Sequence, residues 1–172
     1  MTRDDPQPDT LADTRLFTVD GPVQAEILTV ILDADELALT GPCGAEPWYV
    51  GVPRGEDPMV VVARLVRTNI GEPVVLHSTS WRTSRGGVVL TFVVVMDPAA
   101  VAGLARTRIG RAVLARGGAS TAPPRVDTGP VVEHGLRHLA WLVRDDPAVS
   151  EALPPGWHQV LTDYVPEPFR HL

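Results

Sequence analysis

The sequence predicts an α+β domain in which a mixed or antiparallel sheet packs against helices. Three observations carry that reading. β-rich apolar stretches lie on either side of one capped helix near residue 60. The later stretch VVLTFVVVM is apolar at nearly every position, which a strand tolerates only when both of its faces are covered. The last third of the chain sets Leu136, Leu139, Leu142 and Val143 at helical spacing. Strands, a helix, more strands and then helices is the order of a layered α+β domain.

In chain order, residues 1–14 are acidic and proline-bearing and predict a flexible, solvated lead. AEILTVILDADELALTGP gives an apolar run, an acidic turn at Asp33–Asp35 and a second short run, which is a hairpin signature. EPWYVGV reads as a third strand. DPMVVVARLVRTNIG reads as a helix. Asp57 can cap it, Pro58 suits its first turn, and Gly71 suits the position past its end. The valines at its start have poor intrinsic helix propensity, so burial has to hold them. EPVVLHSTSWR, the turn TSRGG and VVLTFVVVMD predict a long hairpin. PAAVAGLARTRIGRAVLARGG is open between a short helix followed by a helix and a short helix followed by a strand. ASTAPPRVDTGP is a loop, and DTGPVVEHGLRHLAWLVRD starts the next helix with a cap and a proline. PAVSEAL continues as a short helix, and PPGWHQVLTDYVPEPFRHL closes as a helix with an extended tail. The organisation expected is one domain over 15–172, with a helical extension from about residue 130.

Composition narrows the class of function. The chain has 172 residues, 44% of them hydrophobic, enough for a core. All 15 basic residues are arginine, and the net charge is -6. That balance argues against a nucleic-acid partner, which usually demands a basic excess. It leaves room for a local arginine pocket that takes a small phosphate ligand. The single cysteine, Cys43, has no partner for an internal disulfide and reads as a small apolar residue. No signal peptide and no membrane-length apolar run is seen, so a cytoplasmic protein without a membrane partner is expected.

Around the central helix, Glu56, Arg64 and Gly71 stand at the spacing of a known enzyme motif. The region resembles the Nudix box, G-x5-E-x7-R-E-x2-E-E-x-G, of the Nudix hydrolases. Glu56 takes the first Glu, Arg64 the Arg and Gly71 the final Gly, while the first Gly falls on Val50, with Gly51 one place late. The resemblance covers roughly residues 20–100 and implies a Nudix-like α/β/α sandwich. It also implies roles. Glu56 and Arg64 would fix the loop-helix-loop, since an Arg–carboxylate pair is directional. Gly71 would end the helix in a conformation that other residues dislike. The family's metal-binding glutamates would fall at 65, 68 and 69, where this chain has Leu65, Thr68 and Asn69. Magnesium needs oxygen ligands, and leucine offers none. The degenerate box therefore implies that magnesium-dependent pyrophosphohydrolysis is lost, that no cofactor is required, and that the domain binds a ligand or a protein partner.

Other groups compete for attention. Arg54, Glu56 and Arg82 are candidate ligand-binding residues. Strict alternation along HSTSWR puts His77, Thr79 and Trp81 on one face and Ser78, Ser80 and Arg82 on the other, with Trp81 packing over the sheet. His134 and His138, at i and i+4, are weak zinc candidates without a third ligand, and read better as part of a polar helix face. Arg106, Arg108, Arg111 and Arg116 form the basic cluster, read as the exposed side of an amphipathic element. Trp157, Tyr164 and Phe169 suit a tail that docks, most simply on its own domain. Two alternatives follow. One is an active hydrolase of nucleoside diphosphate derivatives that holds Mg2+ on relocated ligands, drawn from Glu56, Asp57, Glu72 or the His134/His138 pair. The other is a structural homodimer subunit built through the tail.

Overall fold

A computed structural model describes residues 23–44, 46–84, 87–114 and 126–166. The elements are β1 (Val23–Asp33), β2 (Glu36–Gly41), β3 (Trp48–Gly51), α1 (Pro58–Asn69), β4 (Val75–Ser84), β5 (Gly87–Val95), β6 (Ala105–Arg108), α2 (Thr128–Asp145), α3 (Pro147–Ala152) and α4 (Pro155–Leu161). The six strands form one mixed sheet in the order β4-β5-β1-β2-β6, with β3 also paired to β1. β1 runs parallel to β5 and antiparallel to β2 and β3. The α+β class with helices on the sheet is the architecture that the sequence predicts.

Alternation explains how one sheet supports two cores. Ala25, Ile27 and Ile31 of β1 and Phe92 and Val94 of β5 point to one face and pack with Val61, Val62 and Val66 of α1. Leu28 and Val30 of β1 and Val93 and Val95 of β5 point to the other face and pack with Leu136, Leu139, Trp157 and Leu161 of the C-terminal helices. β5 is covered on both sides, which is why its sequence carries almost no polar residue. Gly135 sits where a side chain would press on Val93 and Leu28. A Cβ at that position would stand 3.5 Å from the Val93 Cβ, so α2 lies close against β1 and β5.

The expected elements are present. The β1–β2 hairpin closes at Asp33 and Glu36, and its two turn residues, Ala34 and Asp35, both take positive φ, 47° and 67°. That is the turn whose twist suits two-residue hairpins. The Asp57 carboxylate accepts from the Met59 N–H at 2.8 Å, and Pro58 opens the first turn of α1. Two of the three tail aromatics, Trp157 and Tyr164, are buried against their own domain. Phe169 and Arg116 lie outside the described residues, as does the predicted lead over 1–14.

The ambiguous segment resolves as turns over 98–104 followed by the short strand β6, which pairs with β2. No helix forms over its described residues, 98–114. The arginines of β6 meet carboxylates at the β1–β2 turn: Arg106 pairs with Asp33, and Arg108 with Glu36 at 3.1 Å. β6 is exposed throughout, so Arg106 and Arg108 of the basic cluster lie on a solvated edge strand, while Arg111 lies beyond it.

One expectation about β4 needs correction. The register shifts between Ser78 and Ser80, where a β-bulge absorbs Thr79. His77 lies opposite Val93 and Arg82 opposite Val89, so both face the α2 side, while Ser78 and Trp81 face the α1 side. Trp81 is not packed over the sheet; it is 66% exposed. A single extra residue reverses every later side chain, which strict alternation does not anticipate.

Candidate functional site

The loop-helix-loop around α1 is built from local signals. Gly55 takes φ 86°, and the Glu56 N–H donates to the Pro53 carbonyl at 3.1 Å, closing a tight turn before the Asp57 cap. Arg64, two turns into α1, reaches back to Glu56 at 3.5 Å. Both side chains are well exposed, so the pair contributes about 0–1 kcal/mol and orients more than it stabilises. At the far end, the N–H groups of Ile70 and Gly71 both donate to the Val66 carbonyl, at 2.8 and 2.9 Å. Gly71 takes φ 145°, a conformation that L side chains rarely adopt. Space is not the obstacle there, because a Cβ would only touch Ala100 at 3.4 Å. Gly71→Ala is expected to destabilise by about 1–2 kcal/mol through backbone strain alone. Urea unfolding monitored by circular dichroism checks this; no change in midpoint would show that the turn relaxes freely.

Leu65, Thr68 and Asn69, where the Nudix-box resemblance implies glutamates, part company. Leu65 packs toward the α1-side core. Asn69 turns back on the helix, its amide donating to the Leu65 carbonyl at 2.9 Å. Only Thr68 borders the open depression along α1, which Met59, Val60, Ala63, Arg64 and Arg67 also line. The carboxylates nearby are already engaged. Glu56 meets Arg64, Asp57 caps the helix, and Glu72 accepts from the Arg67 Nε at 2.9 Å. A magnesium ion requires converging oxygen ligands, and these residues do not fit one. Arg54 stands exposed in the turn that precedes Glu56.

Comparison of the chain with protein-family models and with curated protein sequences finds no match. The reading of the site therefore rests on its chemistry.

Arg82 points into the sheet's own carboxylate. Its guanidinium forms a fork on Glu26, with Nη1 to Oε2 at 2.6 Å and Nη2 to Oε1 at 2.7 Å. The Tyr49 hydroxyl donates to Glu26 Oε1 at 2.7 Å, and the Thr91 hydroxyl to Oε2 at 2.9 Å. Glu26 is 3% exposed. Burial first, then the charge and the hydrogen bond of Glu26, pushes the Tyr49 phenol well up. Four strands meet in this network: β1, β3, β4 and β5. It occupies the α2 side of the sheet, one side-chain step along β1 from Leu28, over which α2 packs.

A second buried carboxylate ties the C-terminal part together. Glu133 on α2 accepts from Arg111 at 3.0 and 2.9 Å, from Arg137 at 3.0 Å and from the Ala112 N–H at 3.3 Å. Arg111 also donates to the Asp163 carbonyl at 2.6 Å and stacks over the Tyr164 ring, 4.3 Å from its centre. Burial alone raises a carboxyl pKa, but the hydrogen bonds from Arg111, Arg137 and Ala112 outweigh it and hold Glu133 below the usual carboxylate range.

The two histidines of α2 meet a third that the sequence did not connect to them. The rings of His134 and His138 are 4.6 Å apart in an edge-on contact, and His77 of β4 lies 5.7 Å from His138. His138 is 7% exposed, and its Nδ1 is buried without a hydrogen-bond partner. Among the described residues, no group of three His, Cys, Asp or Glu side chains is placed to hold a metal ion. Burial, then the neighbouring His134 and His77, pulls the His138 pKa down to about 4. Burial also lowers His77, against the opposing pull of Asp146. The missed signals were nonlocal. A glutamate inside the apolar run AEILTV points to a buried partner, but not to which one.

Proposed function

We propose that this chain is a Nudix-like module without magnesium-dependent pyrophosphohydrolase chemistry, working as a binding domain for a phosphate-bearing ligand at the α1 depression. The observation that carries the reading is the makeup of that surface. A Gly55–Glu56–Asp57 turn, the Arg64–Glu56 pair and the Gly71 terminus form the frame, while the depression is lined by apolar groups, one hydroxyl and two guanidinium groups. Positions 65, 68 and 69, where the resemblance implies metal-bound carboxylates, hold Leu65, Thr68 and Asn69, and Arg64 and Arg67 border the depression. Their present partners, Glu56 and Glu72, are exposed ion pairs of small net worth. A phosphate group with several charged oxygens competes with such pairs and suits the guanidinium fork.

The relocated-ligand hydrolase finds less support, since Glu56, Asp57 and Glu72 each have another duty. The homodimer built through the tail finds less support too, since Trp157 and Tyr164 are spent inside their own domain.

Calorimetric titration with Mg2+ and Mn2+ is expected to give no binding tighter than the millimolar range, and nucleoside diphosphate derivatives are expected to stay intact with Mg2+, Mn2+ or Zn2+. Inorganic pyrophosphate is expected to bind without metal. Arg64→Glu together with Arg67→Glu should weaken that binding at least ~10-fold, as loss of two charge-assisted contacts implies. Tight magnesium binding at α1, or turnover with any metal, would overturn the proposal.

A further inference from the structure

The histidine contact lies on the opposite side of the sheet from α1 and has no part in the function just proposed. β4 is an edge strand, and His77 on it touches the buried imidazole of α2. The contact joins a strand to the helix whose Leu136 and Leu139 close the larger core. Among the described residues, few charged groups surround it. Asp146, between α2 and α3, is the acidic group that acts on His77. Glu133, one turn before His138 on α2, is held by Arg111 and Arg137. His158 on α4 turns to the Ser150 carbonyl at 3.0 Å. Among the described residues, these carboxylates act on His77 or are held by arginines, and none is paired with His138.

We propose that the contact of His77, His134 and His138 is an acid-sensitive latch, which fastens α2 to edge strand β4 while the buried His138 ring is neutral and releases it when that ring is protonated. A proton on His138 places a charge in a buried site where Nδ1 has no hydrogen-bond partner, and that ring cannot be hydrated without parting helix from strand. The direction follows from linkage. An imidazole freed to solvent titrates near 6.5, and the closed latch holds His138 down to about 4, so the open form binds more protons between those values. The latch is fully closed above about pH 6.5 and weakens as pH falls toward 4. Opening would be local, because α1 and its core stand on the other face of the sheet.

Amide hydrogen exchange of the full chain, followed by mass spectrometry and corrected for intrinsic rates, tests this. At pH 5, opening of α2 is expected to be roughly 30-fold more frequent than at pH 7.5, from the single proton on His138, with α1 unchanged. His138→Leu should flatten the dependence. Equal loosening of α1 and α2, or an unaltered pH response in His138→Leu, would overturn the proposal. If that variant does not fold, the imidazole resonances of the wild-type chain decide: a His138 titration midpoint near 6.5 overturns it, and one well below 5.5 supports it.

Discussion

Arg82→Ala is expected to destabilise the domain by about 3–5 kcal/mol, because it leaves the Glu26 carboxylate buried and without its counter-charge. Glu26 is 3% exposed, and the fork from Arg82 supplies two of its shortest contacts, at 2.6 and 2.7 Å. Tyr49 and Thr91 would remain, but neutral hydroxyl donors compensate a buried charge poorly. The loss is a measure of the stranded carboxylate rather than of the pair's net worth. Replacing both partners, Glu26→Leu with Arg82→Met, should therefore recover most of the stability, since an apolar pair of similar volume carries no desolvation penalty. Urea unfolding of the two variants beside the parent checks this, with a midpoint drop of ~2 M expected for the single variant. A single variant as stable as the parent would show that water reaches Glu26 and that the network is a surface feature. The same outcome would revive Arg82 as a group free to meet an external anion.

Glu133→Ala is expected to cost about 3 kcal/mol and to loosen the C-terminal residues as a unit. The Glu133 side chain is wholly buried, and it is the common acceptor for Arg111, Arg137 and the Ala112 N–H. Arg111 in turn reaches the Asp163 carbonyl and the Tyr164 ring. Removing the carboxylate thus unties the 109–114 segment from α2 and weakens the hold on the chain that follows α4. Arg111 is half exposed and can turn to water, which keeps the penalty below that of a fully stranded pair. Proteolysis of the variant under native conditions should begin after α4, whereas cleavage spread across the domain would show global rather than segmental loosening. The pH dependence has its own window. A carboxyl held below its unfolded range contributes stability that is present above about pH 4.5 and is lost as pH falls through the folded value. Loss of stability through Glu133 therefore begins near the lower end of the range in which the histidine latch weakens.

Much of the fold was legible because its signals are local. The Asp57 cap, Pro58 and Gly71 bound α1 within the residues that compose it, and each acts through its own backbone. The apolar run of β5, interrupted by Thr91 alone, reports its two covered faces without reference to any neighbour. The spacing of Leu136, Leu139 and Leu142 gives α2 its buried stripe. The 98–108 segment was not legible, because its arginines and small residues favour no period. Pairing with β2 and the carboxylates of the β1–β2 turn make Ala105–Arg108 a strand. The bulge at Ser78/Ser80 was hidden as well, since an extra residue in a ladder exists only relative to the strand it pairs with.

The candidate site divides along the same line. Glu56, Arg64 and Gly71 lie within one turn-helix-turn, where local spacing sets Arg64 within reach of Glu56 and puts Gly71 past the helix end. Glu26 and Arg82 are 56 residues apart, Glu133 and Arg111 are 22 apart, and His77 reaches α2 only across the packed sheet. By itself, the sequence determined most of the helices and strands and which of their faces are apolar, and it shows Leu65, Thr68 and Asn69 where the Nudix-box resemblance implies glutamates. Only the tertiary structure decided which charges are partnered, that Arg82 serves Glu26, and that three histidines share one contact. The physical reason is that propensity, capping and periodicity act over a few residues, whereas burial and ion pairing depend on strand order and register, which are settled by the core as a whole.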